Sequence, residues 1–154
     1  MDNDTKFVLS SPAFAEGDEI PARYTCKGGN FSPPLTISGV PAGTAKLALV
    51  MHDPDAPNGD FLHWTLWRLN PDLREIPENT VPDNAFQGTN SAGNVGYMGP
   101  CPPVGDPWHH YIIQLFALDV APNELPPGLT RDDFLAKVKG KVKGEASLVG
   151  RYTR

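Results

Sequence analysis

Residues 45–69 read AKLALVMHDPDAPNGDFLHWTLWRL and hold two strand candidates on either side of a polar turn. Ala45 to Met51 is almost entirely aliphatic, which predicts a strand buried on both faces. Phe61 to Leu69 is aromatic and β-branched enough to predict a second central strand. Strict alternation along that strand would place His63, Thr65 and Trp67 on one face and Leu62, Trp64 and Leu66 on the other.

The rest of the chain predicts a mainly β protein. A length of 154 residues suits one domain, and 17 prolines with 15 glycines predict many turns between short elements. Further strands are predicted over four segments: Lys6 to Leu9, Ile20 to Thr25, Leu35 to Ser38 and His109 to Leu118. Thr130 can cap one short helix that ends before Gly140. The segment from Glu145 to Tyr152 fits either a last strand or a mixed helix and strand.

Charge and hydropathy exclude several classes of partner. The chain has 13 basic and 18 acidic residues, a formal charge of −5, so nucleic acid is not an expected partner. No apolar run approaches the ~20 residues that cross a bilayer, and the first residues are acidic and not those of a signal peptide. We expect a soluble, cytoplasmic protein without stable membrane insertion.

The turn after the first central strand carries two carboxylates, Asp53 and Asp55, on either side of Pro54. Proline fixes φ near about −65°, so both side chains have defined directions. The turn could be a simple Asx-type turn, or it could be the wall of a site.

A second polar group opens the strand at His109. Alternation puts the His109 imidazole and the Tyr111 phenol on one face, with His110 on the other. If His63 reaches the same space, two imidazoles and a phenol meet a carboxylate, a set that can bind a small anion such as phosphate or acetate. A histidine within an apolar strand can equally be a hydrogen-bonded core residue.

A metal-dependent enzyme is the main alternative function. Two histidines and a carboxylate, with Cys101 as a fourth ligand, could hold zinc or iron. The spacing, however, matches no tight metal motif. Nucleophile and nucleotide motifs such as Gly-x-Ser-x-Gly are also absent from the sequence.

Five ordered motifs together resemble the phosphatidylethanolamine-binding protein family, in its bacterial and archaeal branch of Raf kinase inhibitor-like proteins. In chain order these motifs are SPAF (11–14) with IPARYTC (20–26), NFSPPL (30–35) with GVP (39–41), DPDAP (53–57) with His63-Trp64, GPCPP (99–103), and HHY (109–111).

The resemblance implies one domain over residues 1–154, an antiparallel β-sandwich of Greek-key type with short peripheral helices. It also implies a small cavity that binds a phosphate-like or carboxylate-like anion, without turnover, metal or cofactor. The family's known roles suggest a regulator or inhibitor of a partner protein such as a kinase or protease, and homodimers are common in this branch. The residues expected at the cavity are Asp53, Asp55, His63, Cys101, Pro103, His109 and Tyr111.

The resemblance also places Cys26 and Cys101 near one rim, so they form a candidate disulfide; two free thiols are the alternative in a cytoplasmic protein. Two positions depart from the family pattern. His110 stands where the family usually has arginine, which predicts a weaker, pH-dependent contact or none. His52 stands where this branch commonly has aspartate, and it could alter the field around Asp53.

Overall fold

The computed structural model describes residues 6–121 and 123–154 as two antiparallel sheets and one helix. The smaller sheet contains β1 (Val8–Ser10), β2 (Leu35–Ser38) and β5 (Glu75–Ile76), in that spatial order. The larger sheet contains, in spatial order, β6 (Phe86–Gln87), β4 (Phe61–Leu69), β3 (Lys46–Asp53), β7 (His109–Leu118) and β8 (Val142–Tyr152). The helix α1 spans Arg131–Val138. The mainly β, antiparallel prediction is therefore confirmed.

The main core lies between the two sheets. It is built from alternate residues of the facing strands, among them Leu9, Ile37, Ile76, Leu49, Met51, Leu66 and Ile113. The opposite face of the larger sheet carries a second core, in which Trp67 packs on Phe134 of α1 with ring centroids 6.1 Å apart. Both faces of β3 are thus buried, as its aliphatic sequence predicts.

The helix begins as predicted. The hydroxyl of Thr130 accepts a hydrogen bond from the backbone N–H of Asp133 at 3.1 Å, which satisfies one free donor of the first turn. Residues 145–152 belong to the long strand β8, which resolves the open alternative in favour of a strand. No helix in the described part of the chain is long and apolar enough to span a bilayer.

The predicted strand over Ile20–Thr25 is wrong. Its residues Ala22–Tyr24 form a 3₁₀ turn, because Pro21 begins the turn and its carbonyl accepts the N–H of Tyr24 at 3.0 Å. Thr25 then closes the turn with both its N–H and its hydroxyl on the carbonyl of Ala22. Ile20 remains in the core, packed against Gly150 of β8, where a Cβ atom would come within 2.5 Å of it.

Candidate functional site

A cavity of about 460 Å³ opens where β3, β4 and β7 come together at one end of the larger sheet. Asp53 is the last residue of β3, His63 lies near the start of β4, and His109 and Tyr111 lie near the start of β7. The remaining wall comes from residues 56–61, Ser91, Met98 and the segment 101–103. Of the seven residues expected here, the cavity is lined by Asp53, His63, Cys101, Pro103, His109 and Tyr111.

A bulge in β4 turns His63 into the cavity. Met51 of β3 pairs with Trp64, but the next residue, His52, pairs with Leu62, so β4 has one extra residue at this point. His63 and Trp64 therefore both face the smaller sheet, His63 in the cavity and Trp64 in the core. The strict alternation predicted for β4 is wrong here, and the bulge is the local change that re-aims the imidazole.

The His63 ring is held by one backbone carbonyl. Its Nδ1 lies 2.5 Å from the carbonyl oxygen of Met98, whose own N–H donates to the carbonyl of His63 at 3.0 Å. A carbonyl can only accept, so Nδ1 carries the hydrogen. Burial is the largest influence on this ring and lowers the pKa of His63 below its ordinary value. At neutral pH the ring is therefore uncharged.

Asp53 serves two partners with its two carboxylate oxygens. Oδ1 accepts the N–H of Asp55 at 2.7 Å, which is the Asx-type turn, and Oδ2 accepts a hydrogen bond from Nδ1 of His109 at 2.7 Å. Both side chains of the pair are almost fully buried, each with 4% exposure. The two alternatives for this turn thus describe one arrangement, since the turn fixes the carboxylate that lies in the cavity wall.

His109 is also held on its second ring nitrogen. Nε2 donates to Oδ2 of Asp106 at 3.0 Å, so both ring nitrogens face carboxylates. Burial alone would lower the pKa of His109, but the hydrogen bonds to Asp53 and Asp106 outweigh it and raise that pKa above its ordinary value. The turn that carries Asp106 is fixed in turn by the hydroxyl of Thr153 and the guanidinium of Arg154.

Tyr111 supplies a neutral hydroxyl beside these two rings. Its ring meets the His63 ring edge to face, with centroids 5.2 Å apart, and lies against the cavity. Burial first, and then the negative charge of Asp53, raise the pKa of the Tyr111 phenol. The phenol therefore keeps its proton across the physiological range and can donate it in a hydrogen bond.

A disulfide fastens one rim of the cavity. Cys26 and Cys101 are bonded, with Cα atoms 5.4 Å apart, so the candidate disulfide is present in the structure. Three hydrogen bonds lie beside it, including Tyr97 to the carbonyl of Tyr24 at 2.6 Å and Gly99 to Asn30 at 2.8 Å. The segment that carries the Met98 carbonyl is therefore fixed to residues 22–30.

Asp55, the seventh expected residue, does not line the cavity. Its carboxylate points outward and accepts both the backbone N–H and Nδ1 of His110 at 2.8 Å. The hydrogen bond from His110 lowers the pKa of Asp55, although both side chains are about half exposed. Of the two alternatives predicted for His110, the structure therefore shows a contact, which lies behind the cavity wall and not within it.

His52 does not act on Asp53 directly. It lies on the helix side of β3, where its Nδ1 is 2.7 Å from Oδ1 of Asp60, while Oδ2 of Asp60 pairs with Arg131 of α1 at 2.7 Å. Burial would raise the pKa of Asp60, but these two partners outweigh it and lower that pKa. Asp60 lines the cavity, so His52 and Arg131 together anchor one wall to the helix.

The alternative metal site is not assembled. Cys101 has no free thiolate because it is in the disulfide, and both ring nitrogens of His109 are engaged by carboxylates. Within residues 6–121 and 123–154, no group of three or more histidine, cysteine or acidic side chains could hold a metal ion.

Three contributors were not predicted from the sequence. Met98 acts through a carbonyl, which has no side-chain signature, and Asp60 looks like any acid in a turn. Asp106 lies in a turn in which the preceding residue, Gly105, adopts a φ of +92°, a conformation that favours glycine. The Gly105 position was the available signal, but it does not specify which side chain the turn presents.

Comparisons with known proteins agree with this geometry. A family model described as phosphatidylethanolamine-binding protein matches residues 10–153. A UPF0098 protein of Methanothermobacter thermautotrophicus is 44% identical over 95% of this chain and 98% of its own. A Mycobacterium tuberculosis protein whose name describes it as a lipoprotein, LppC, is 42% identical over 94% of this chain and 71% of its own.

A solved structure shows the same fold. The phosphatidylethanolamine-binding protein homologue CT736 of Chlamydia trachomatis superimposes with a TM-score of 0.89 and 37% identity, over 96% of this chain and 97% of that one. The residues matched by the family model, 10–153, include all the segments that line the cavity. The chain belongs to the phosphatidylethanolamine-binding protein family.

Proposed function

We propose that this protein is a non-enzymatic binding protein whose cavity holds a small anion, namely a phosphate, a phosphoryl headgroup or a carboxylate. The observation that carries the proposal is the pairing of two polar groups in the cavity, the Tyr111 hydroxyl and the unpaired Nε2 edge of His63, beside the charged His109. A hydroxyl and an imidazole that converge on one space can hold the oxygens of a small oxyanion.

The surroundings support binding more than turnover. Three reactive side chains of the wall already have partners: Asp53 pairs with His109, Cys101 with Cys26, and Asp60 with Arg131. None of these groups is arranged as a nucleophile next to a free base, which covalent catalysis requires. Membership of a family named for binding agrees with this interpretation.

Calorimetric titration with inorganic phosphate, phosphoethanolamine and acetate at pH 6 tests the proposal. Tyr111→Phe removes one hydrogen bond to a charged ligand, about 1.5 kcal/mol, and should weaken binding about tenfold. His63→Asn should weaken it at least as much, because the amide can keep the Met98 contact while the ligand-facing nitrogen is lost. His110→Gln is the matched control outside the cavity. If Tyr111→Phe and His63→Asn both bind like the parent, the anion is not in this cavity.

The second part of the proposal is that the protein regulates or inhibits a partner protein, such as a kinase or protease. Val104 and Trp108 support it, because they are exposed apolar residues on the segment between the cavity rim and β7. Inhibition of a panel of serine proteases and kinases, with and without saturating phosphate, is the test. Inhibition that Val104→Ser or Trp108→Ser abolishes would support this surface; a panel without inhibition would count against it. A cytoplasmic location and a homodimer remain predictions.

A further inference from the structure

We infer that the cavity binds its anion together with one proton, and that this proton lies between Nε2 of His63 and an oxygen of the ligand. The inference rests on the proposed function and specifies how the site recognises its ligand. The inference follows from which atoms of the cavity wall carry hydrogens.

The neutral His63 ring carries its hydrogen on Nδ1 and not on Nε2. The Met98 carbonyl fixes the hydrogen of the neutral ring on Nδ1, 2.5 Å away, so Nε2 has a bare lone pair. Nε2 has no hydrogen-bond partner among the described residues, and it is not one of their fully buried unpaired polar atoms. It therefore faces the cavity, where a fully deprotonated oxygen would meet it lone pair to lone pair.

The charges around the cavity are already paired with one another. His109 carries one positive charge, but both its N–H groups point at carboxylates, Asp53 at 2.7 Å and Asp106 at 3.0 Å. The charge of Asp60 is already balanced by Arg131, at 2.7 Å. The wall thus offers an anion no net positive charge, and the side chains in it that can donate a hydrogen bond, such as Tyr111, Ser91 and Asn58, are neutral. A proton on His63 or on the ligand supplies the missing positive charge.

Charged and polar groups face His63 from each neighbouring element. On β3, Asp53 raises the pKa of His63 and His52 lowers it, and Asp60 raises it from the turn before β4. On β7, Tyr111 is neutral, and the cationic His109 is paired with Asp53 and Asp106. In the empty cavity burial outweighs these attractions, and the pKa of His63 lies below its ordinary value. A bound anion adds a negative charge in contact with Nε2, which favours the protonated ring. The proton is therefore absent before binding and present after it.

Proton uptake on binding is directly measurable. Sulfate is the sharpest probe, because it carries no proton near neutral pH and the proton must then reside on His63. Calorimetry at pH 7.5 in two buffers of different ionisation enthalpy should show about one proton taken up per sulfate. Affinity should fall about tenfold from pH 7.5 to 8.5. Inorganic phosphate should show the same trend, with the proton shared between ligand and ring.

Two further measurements assign the proton to His63. In ¹⁵N NMR spectra, saturation with sulfate should convert Nε2 of His63 from a bare to a protonated nitrogen, while both nitrogens of His109 stay protonated. His63→Gln offers a permanent amide donor in place of Nε2, so its binding should proceed without proton uptake. His110→Gln should behave like the parent.

The outcomes separate this inference from the proposed function. Sulfate or phosphate binding without proton uptake, or with uptake that survives in His63→Gln, overturns the inference and leaves the anion site standing. If neither anion binds the parent protein between pH 6 and 8.5 at millimolar concentration, the proposed function and the inference are both wrong.

Discussion

The two sides of the cavity hold histidines that are equally buried but differ in charge. His63 is 4% exposed and His109 is 3% exposed, yet the first is neutral and the second is a cation. The difference lies in the acceptors, since His63 faces one uncharged carbonyl and His109 faces two carboxylates. Burial alone therefore does not decide what a histidine does in such a site; the charge of its partners does.

The largest expected effect comes from the disulfide on the His63 side. Removing the bond that closes a 75-residue loop, as Cys26→Ala with Cys101→Ala, should lower the free energy of unfolding by about 4 kcal/mol in the chain-entropy model. The NMR signals of His63 should shift because its Met98 partner lies on the loosened rim, while those of His109 should stay. Urea unfolding checks the first expectation; an unchanged midpoint would contradict it.

The second largest effect is expected when the ion pair between His109 and Asp53 is removed. His109→Gln leaves Asp53 buried without a cation and should cost about 3 kcal/mol of unfolding free energy near pH 6. His110→Gln is the matched control on the next residue, where an exposed pair with Asp55 is worth less than about 1 kcal/mol.

The pH dependence of that cost has a defined sign. A raised pKa in the folded state stabilises the protein below the ordinary histidine value of 6.5, and this stabilisation is lost as pH rises through the raised value. The difference between parent and His109→Gln should therefore be larger at pH 6 than at pH 9. Equal differences at both pH values would mean that His109 is not a cation in the folded protein.

A smaller effect is expected from a substitution that changes the pKa of one histidine ring and keeps both rings in place. Asp106→Asn deletes one carboxylate next to His109, so the pKa of His109 should fall while that of His63 stays. Because one negative charge near the cavity is removed, phosphate should bind about threefold more tightly, as expected for a partly exposed charge. NMR titration measures the pKa values of the two rings, and calorimetry measures the affinity for phosphate. An equal pKa change at His63 and His109 would show that the two rings are not independent.

The smallest change acts on the opposite wall. Arg131→Gln frees the charge of Asp60, so the pKa of His63 should rise and that of His109 should stay. The partly exposed pair should contribute only about 0.5 kcal/mol to folding, so the variant should remain folded. Arg131→Gln and Asp106→Asn thus form a pair of single substitutions, each of which should change the pKa of only one of the two histidines.

The fold was largely predictable because its central strands have strong local signals. The aliphatic run of β3 and the aromatic run of β4 each indicate a buried strand, and the Thr130 cap marks the helix. The error over residues 20–25 arose because a proline-led turn and a short apolar strand have similar composition. Trp64 and Trp67 are core residues, whereas Trp108 is exposed.

Most residues of the site could be predicted from the sequence, but their protonation states could not. Alternation correctly puts His109 and Tyr111 on one face of β7, while the bulge at His63 depends on how β4 pairs with β3. Asp106 and the Met98 carbonyl come from irregular loops without a periodic signal. These two contacts decide the protonation of both rings, so the charge state of the cavity required the three-dimensional structure.

The most direct test of this account is the pH titration of the four histidine rings in the free protein, followed by NMR and assigned with single substitutions. We expect His63 to titrate below its ordinary pKa of 6.5 and His109 above it. A His63 ring that titrates at or above the pKa of His109 would contradict the neutral His63 and the cationic His109 on which the binding site and the proton-linked recognition both depend.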